Sequence, residues 1–271
     1  MITMSPLEEF SGQTALVTGG GSGIGRAIAV RYAAGGGNVV VLGRRAEPLE
    51  QTVQLAREFG VKADFVTCNV RDADAVTAAV DGVVEQFGSI DALVNNAAGN
   101  FICPAEDLSP NGWRAVVDIV LNGTFFGTRA AGRHMLAAGG GSILNVIASY
   151  AWHGHPGTVH SAAAKGGVLA MTRTLASEWA GRGVRVNAIS PGPTETEGAG
   201  AALWPTDADR ARVLGSVPAA RFTTPEEVAE SAAFLLDPRR AAYITGDVLS
   251  VDGGQWLGKA VYADSSAGAR G

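Results

Sequence analysis

Thr18-Gly19-Gly20-Gly21-Ser22-Gly23-Ile24-Gly25 decides the fold, because this turn follows the apolar run Ala15 to Val17 and opens the helix-spaced stretch Arg26 to Ala34. Glycines let a chain turn tightly and bring backbone N–H groups close to a ligand, while the helix N-terminus behind them favours anionic oxygen. Strand, turn and helix in that order make a pyrophosphate site, with Gly19, Gly21, Ser22, Gly23, Ile24 and Gly25 as its contacts. Glycines serve ordinary turns too, and the spacing is Gly-x-x-x-Gly-x-Gly rather than Gly-x-Gly-x-x-Gly. The flanking strand and helix therefore carry the assignment.

Outward from this turn the pattern repeats. Short apolar runs stand at Val39 to Leu42, Phe65 to Val66, Ala92 to Val94, Ile143 to Ile147, Val184 to Ile189 and Val248 to Val251. Helical spacing fills Ala73 to Phe87, Trp113 to Ala138 and Ala162 to Trp179. Strands that are apolar throughout are covered on both faces, so the expectation is an α/β fold: a doubly wound, mainly parallel sheet with helices on both faces. No repeat or composition shift divides the 271 residues, which are read as one dinucleotide-binding catalytic domain. The 195–217 segment, after Pro191-Gly192-Pro193, reads as a mobile substrate loop, and 260–271 as a frayed tail.

Composition excludes several classes. Hydrophobic residues are 46% and charged residues 17% of the chain, which argues against disorder. A net charge of −5 offers no general attraction to nucleic-acid phosphate. Cys68 and Cys103 have no metal-knuckle spacing and are read as reduced and structural. His153, His155 and His160 cluster without a second ligand group, which speaks against a metal. Glu8 and Glu9 stand where a targeting segment would be basic, and no apolar span follows, so the expected location is the cytoplasm.

The second strand ends at Leu42-Gly43-Arg44-Arg45, where an acid would receive the ribose 2′-hydroxyl of NAD. Arg44, with Arg45 beside it, instead offers charge-assisted hydrogen bonds to a 2′-phosphate, pointing to NADP(H). The alternative is a solvated arginine pair at a helix start.

Asn95-Asn96-Ala97-Ala98-Gly99 after the fourth strand and Pro191-Gly192 after the sixth complete an ordered set of motifs. With the glycine turn they make the chain resemble the short-chain dehydrogenase/reductase family, of Rossmann type. That resemblance implies cofactor contacts at Asn96, Ala97, Pro191, Gly192, Pro193 and Thr194, and at Asn69 and Val70 beside the adenine. It also implies a Tyr-x-x-x-Lys pair, and here the chain departs: Lys165 is present, but Ser161 stands four residues before it. A tyrosine does occur fifteen residues before the lysine, Tyr150. This shifted arrangement resembles mitochondrial-type 2,4-dienoyl-CoA reductases, as do Asn100-Phe101, Leu108-Ser109-Pro110-Asn111 and the stretch Asp118 to Thr124.

The resemblance implies NADPH-dependent reduction of a 2,4-dienoyl-CoA to a 3-enoyl-CoA. Tyr150 and Asn100 would stabilise the dienolate oxygen, Lys165 would hold the nicotinamide ribose, Ser161 would support lysine or cofactor, and Asn122 would position Lys165 through water. Arg71, Phe101 and Ser109 match substrate-contacting positions. Their ordinary roles would be a surface ion-pair partner, a core aromatic and a helix cap. A basic substrate contact implied near the Pro191 loop is unmatched, since Ala202 stands there. The family also implies a homotetramer, and the alanine-rich Ala162 to Ala180 helix suits close packing. Two other functions fit the same motifs: a carbonyl or alcohol dehydrogenase that has repurposed Tyr150, and a catalytically silent NADP(H)-binding protein.

Overall fold

Seven parallel strands lie in the order β3-β2-β1-β4-β5-β6-β7 in the computed structural model, which describes residues 9–196, 203, 204 and 206–257. They are β1 (Thr14–Thr18), β2 (Asn38–Gly43), β3 (Ala63–Thr67), β4 (Ala92–Asn95), β5 (Gly141–Val146), β6 (Val184–Pro191) and β7 (Val248–Val251). Each coincides with an apolar run expected from sequence. The central strands are buried residue after residue, as in Thr14–Thr18 and Ala92–Asn95, because helices cover both faces.

On one face pack α1 (Gly23–Ala34), α2 (Ala46–Arg57) and a helix over Pro225–Leu236, joined in one core cluster through Ile28, Leu49, Val228 and Leu236. On the other lie α3 (Ala73–Phe87), α5 (Gly123–Ala138) and α7 (Val159–Trp179), joined through Val80, Met135 and Trp179. Between them in sequence come α4 (Pro110–Val117), the short α6 (Tyr150–His153) and α8 (Asp207–Leu214); the Pro225–Leu236 helix is then α9.

Two expectations are refined. Trp113 to Ala138, read as one helix-spaced stretch, is α4 and α5 joined through a π-type turn at Asp118–Asn122, which widens the helix where Asn122 sits. Within 195–217, α8 is capped by Thr206 Oγ1, which accepts from the Asp209 N–H at 3.1 Å, so that part of the segment is helical. Residues 197–202, including Ala202, and the 260–271 tail lie outside the described residues. Among the described residues, no helix is long and apolar enough to cross a membrane.

Strand order reverses direction between β1 and β4, so a crevice opens beyond their carboxyl ends. The glycine turn leaves β1 there, and the Asn95 segment leaves β4 beside it.

Candidate active site

The glycine turn is built for close approach. Gly19 and Gly23 have φ of +65° and +52°, and a Cβ on Gly19 would lie 2.9 Å from Asn96 Nδ2. On Gly25 it would collide with the Gly19 carbonyl and the Asn96 side chain. Thr18 Oγ1 accepts from the Asn96 and Ala97 N–H groups, both at 3.0 Å, and Asn96 Nδ2 donates to the Thr18 and Gly19 carbonyls at 3.1 and 3.2 Å. These bonds tie the β1 and β4 loops into one rigid wall.

Two residues that sequence reasoning passed over hold the turn from behind. Arg26 Nη2 donates to the Gly21 carbonyl at 2.5 Å and Thr52 Oγ1 to the Gly20 carbonyl at 2.9 Å. With those carbonyls engaged at the rear, the turn's shape is set before a ligand arrives. The segment after β6 covers the front: Pro191 ends the strand, Gly192 N–H donates to the Val251 carbonyl at 2.9 Å, and Thr194 Oγ1 donates to the Gly192 carbonyl at 3.0 Å. A Cβ on Gly23 would lie 3.1 Å from Thr196 Cγ2, so this segment crosses directly over the turn.

Arg44 and Arg45 are exposed at the end of β2, and among the described residues neither has a carboxylate partner. Asn69 is exposed, with Oδ1 accepting from the Arg71 N–H at 3.3 Å, and Arg71 is exposed. Buried Val70 reaches Gly123, where a Cβ would lie 2.9 Å from its Cγ2. A cradle that side chains would fill, N–H groups at a helix start and unpaired guanidinium groups together fit a phosphorylated dinucleotide.

Asn95 turns the other way. Its Nδ2 donates to Thr128 Oγ1 at 2.9 Å and Asn145 Oδ1 at 2.8 Å, and Asn145 Nδ2 donates to Thr172 Oγ1 at 2.9 Å. This buried chain braces β4 and β5 against α5 and α7, so Asn95 supports the site from inside the core.

At the reacting end three elements converge. Tyr150 begins α6, Ser161 and Lys165 lie on α7, and Asn100 follows the β4 loop. Tyr150 Oη lies 3.1 Å from Ser161 Oγ and accepts from Asn100 Nδ2 at 3.5 Å. Burial raises the Tyr150 pKa above its ordinary value, against smaller lowering effects from Ser161 and Asn100, so the phenol keeps its proton at neutral pH. Lys165 Nζ donates to the Val146 carbonyl, and Asn122 Nδ2 donates to Asp118 Oδ1 at 2.9 Å, leaving Asn122 Oδ1 for another partner.

Burial lowers the Lys165 pKa from 10.5 to about 8. Between those values the unfolded chain holds a proton that the folded chain lacks, so stability rises with pH through that window. Below pH 8 the full penalty applies, about 3 kcal/mol. Lys165→Met is therefore expected to raise cofactor-free stability near pH 7 by that order and to lose the gain near pH 10.5, measured as the difference in urea unfolding between variant and parent. A difference that does not change with pH would contradict it.

The remaining site candidates separate. Phe101 packs its ring 4.5 Å from that of His160, which is wholly buried and whose pKa burial lowers, so His160 is a neutral wall residue. His153 and His155 are exposed and their Nδ1 atoms lie near neighbouring carbonyls. Among the described residues no group of His, Cys, Asp or Glu could hold a metal. Ser109 Oγ accepts from the Gly112 N–H at 3.0 Å with Pro110 at the first helical position, so it caps α4.

A family model described as "Enoyl-(Acyl carrier protein) reductase" matches residues 19–255. A Bacillus subtilis (strain 168) protein named "Probable 2,4-dienoyl-CoA reductase [(2E)-enoyl-CoA-producing]" is 50% identical over 89% of this chain and 96% of its own length. A Caenorhabditis elegans protein named "Probable 2,4-dienoyl-CoA reductase 3 [(3E)-enoyl-CoA-producing]" is 41% identical over 90% of this chain and 80% of its own. The crystal structure of a short chain dehydrogenase from Bacillus anthracis is 46% identical, with a TM-score of 0.84 over 93% of this chain and 99% of that one.

Proposed function

Since this chain belongs to the short-chain dehydrogenase/reductase family, we propose that it is an oxidoreductase that uses NADPH to reduce 2,4-dienoyl-CoA thioesters to 3-enoyl-CoA, working as one dinucleotide-binding catalytic domain. The observation that carries this reading is the trio Asn100, Tyr150 and Ser161. The family's usual tyrosine position is a serine, and a phenol from α6 reaches within 3.1 Å of that serine.

When bound, the nicotinamide supplies a hydride. Hydride arriving at carbon 5 of the dienoyl group drives electrons through the conjugated system onto the thioester oxygen. Tyr150 and Asn100 donate hydrogen bonds to that oxyanion, and a phenol kept protonated by burial suits a donor better than a base. Lys165 holds the nicotinamide ribose and, when protonated, adds positive potential; Ser161 supports the phenol, and Asn122 Oδ1 reaches Lys165 through water. Protonation of the dienolate at carbon 2 gives the 3-enoyl product and at carbon 4 the 2-enoyl product. We assign carbon 2, although the names of the two relatives differ on this point.

Arg44 and Arg45 select the 2′-phosphate, and Gly19, Gly21, Ser22, Gly23, Ile24 and Gly25 hold the pyrophosphate. Asn69 and Val70 flank the adenine. Asn96, Ala97, Pro191, Gly192, Pro193 and Thr194 wall the nicotinamide end, and Arg71 and Phe101 contact the thioester. Ser109 is left as a cap. The same reading makes the protein a cytoplasmic homotetramer, packed partly through α7, that serves unsaturated fatty acyl metabolism.

An anaerobic panel of dienoyl-CoA, enoyl-CoA, ketone and secondary-alcohol substrates with NADP(H) tests the reaction. Turnover confined to the ketones and alcohols would favour a dehydrogenase that has repurposed Tyr150, and binding without any turnover a silent protein. Within the proposed reaction Ser161→Ala is expected to lower turnover by about tenfold, the scale of one supporting hydrogen bond. A loss beyond a thousandfold would make Ser161 the principal donor.

A further inference from the structure

Exposed apolar side chains are not spread evenly. Among the described residues, six of the eleven exposed large hydrophobics, Phe101, Ile102, Trp152, Val159, Trp256 and Leu257, come from three short segments that meet around Tyr150. The segment after Asn100 is tied to the one before α7 by a bond from Cys103 N–H to the Gly157 carbonyl at 2.9 Å. Gly157, at φ +75°, is also where a Cβ would come 2.9 Å from Ile102 Cγ2, so these two segments are in contact.

The third segment, Gln255–Leu257, follows β7 and is held in place. Asp252 is buried and its two carboxylate oxygens accept from the Gly254 and Trp256 N–H groups, both at 3.0 Å. Gln255 Nε2 donates to Ser216 Oγ at 3.3 Å, joining this turn to the segment after α8. So braced, Trp256 meets Trp152 edge to face, with ring centroids 6.4 Å apart. Trp152 is two residues from Tyr150, and both indoles keep much of their surface open, at 38% and 49%. Large rings exposed singly need no explanation; concentrated beside a reactive phenol they mark a surface meant to be covered.

We propose that these six side chains form the trough that receives the acyl chain of the thioester, with the Trp152–Trp256 pair as the element that selects long apolar chains over short ones. The occupant is an acyl chain because this apolar surface starts where the conjugated end reacts: Phe101 directly follows Asn100, and Trp152 stands two residues after Tyr150. This rests on the reaction proposed above, and supplies the part of the substrate that the reaction itself does not define.

Saturated thioesters cannot be reduced, so their binding tests the trough apart from turnover. Calorimetric titration with decanoyl-CoA and butanoyl-CoA is expected to give a preference for decanoyl-CoA of roughly tenfold or more, since six further methylenes leave water. Trp256→Ala should lower that preference about fivefold or more, while Trp256→Phe and Trp152→Phe, which keep a ring and spare the fold, should retain most of it. No preference in the parent protein would overturn the proposal. So would equal losses for both thioesters in Trp256→Ala, including the case where light scattering shows that the variant has dissociated and the patch was covered by a second copy of the chain. A decanoyl-CoA preference without reduction of any dienoyl-CoA would keep the trough and refute the reductase reading; reduction without the preference would do the reverse.

Discussion

Tyr150→Phe is expected to lower turnover of a 2,4-dienoyl-CoA by roughly 10²–10³, the scale of losing one oxyanion donor, with little change in NADPH affinity. The substitution keeps the ring that fills the space between α6 and α7 and removes only Oη, the atom 3.1 Å from Ser161 Oγ. Because Asn100 Nδ2 also reaches Oη, the variant leaves one donor in place, and residual activity should survive through Asn100. Pre-steady-state hydride transfer isolates the step from product release. Unchanged hydride transfer would remove Tyr150 from the mechanism, and a collapse of NADPH binding would show that the ring's role is structural.

Arg44→Asp carries the second large effect. Its guanidinium is exposed, and its removal breaks no ion pair among the described residues. The substitution deletes a charge-assisted bond and adds repulsion toward the 2′-phosphate. The kcat/KM ratio for NADPH over NADH should fall by about 10²-fold. NADH carries only a hydroxyl at that position and should lose little. Equal losses with both cofactors would mean that Arg44 supports the loop rather than reading the phosphate.

Much of this architecture was legible in the residues, for reasons that also explain what was not. Seven apolar runs fall on the seven strands because the inner strands are covered on both faces and are apolar nearly throughout, while the edge strands β3 and β7 are only partly buried. Helix α9 carried a local signal that apolar periodicity did not register: Thr224-Pro225-Glu226-Glu227 is a capping box, with Thr224 Oγ1 accepting from the Glu227 N–H and the Glu227 carboxylate from the Thr224 N–H. Thr206 signals the start of α8 as a simple N-cap, its Oγ1 accepting from the Asp209 N–H, inside a segment whose glycines and prolines suggested only a loop.

In the site, Tyr150, Ser161 and Lys165 were singled out by resemblance to a family motif. What the motif could not give was direction. Asn95 and Asn96 are adjacent and chemically identical, yet one braces the core and the other ties the glycine turn, because successive residues leaving a strand point to opposite sides. Arg26 and Thr52 escaped notice because their contacts with the turn exist only after α1 and α2 have packed together. Likewise the three histidines separate only in the folded chain, where His160 is enclosed against Phe101 while His153 and His155 face solvent.

The central claim is a hydride delivered to a conjugated thioester whose oxygen is held by a phenol from α6. Single-turnover reduction of 2,4-decadienoyl-CoA with NADPH deuterated at the transferred position tests it most directly, read by mass and NMR of the product. Deuterium at carbon 5 of a 3-enoyl-CoA is the result expected. No label in any acyl product, with efficient transfer to the carbonyl carbon of a ketone, would contradict it and make the chain a carbonyl reductase.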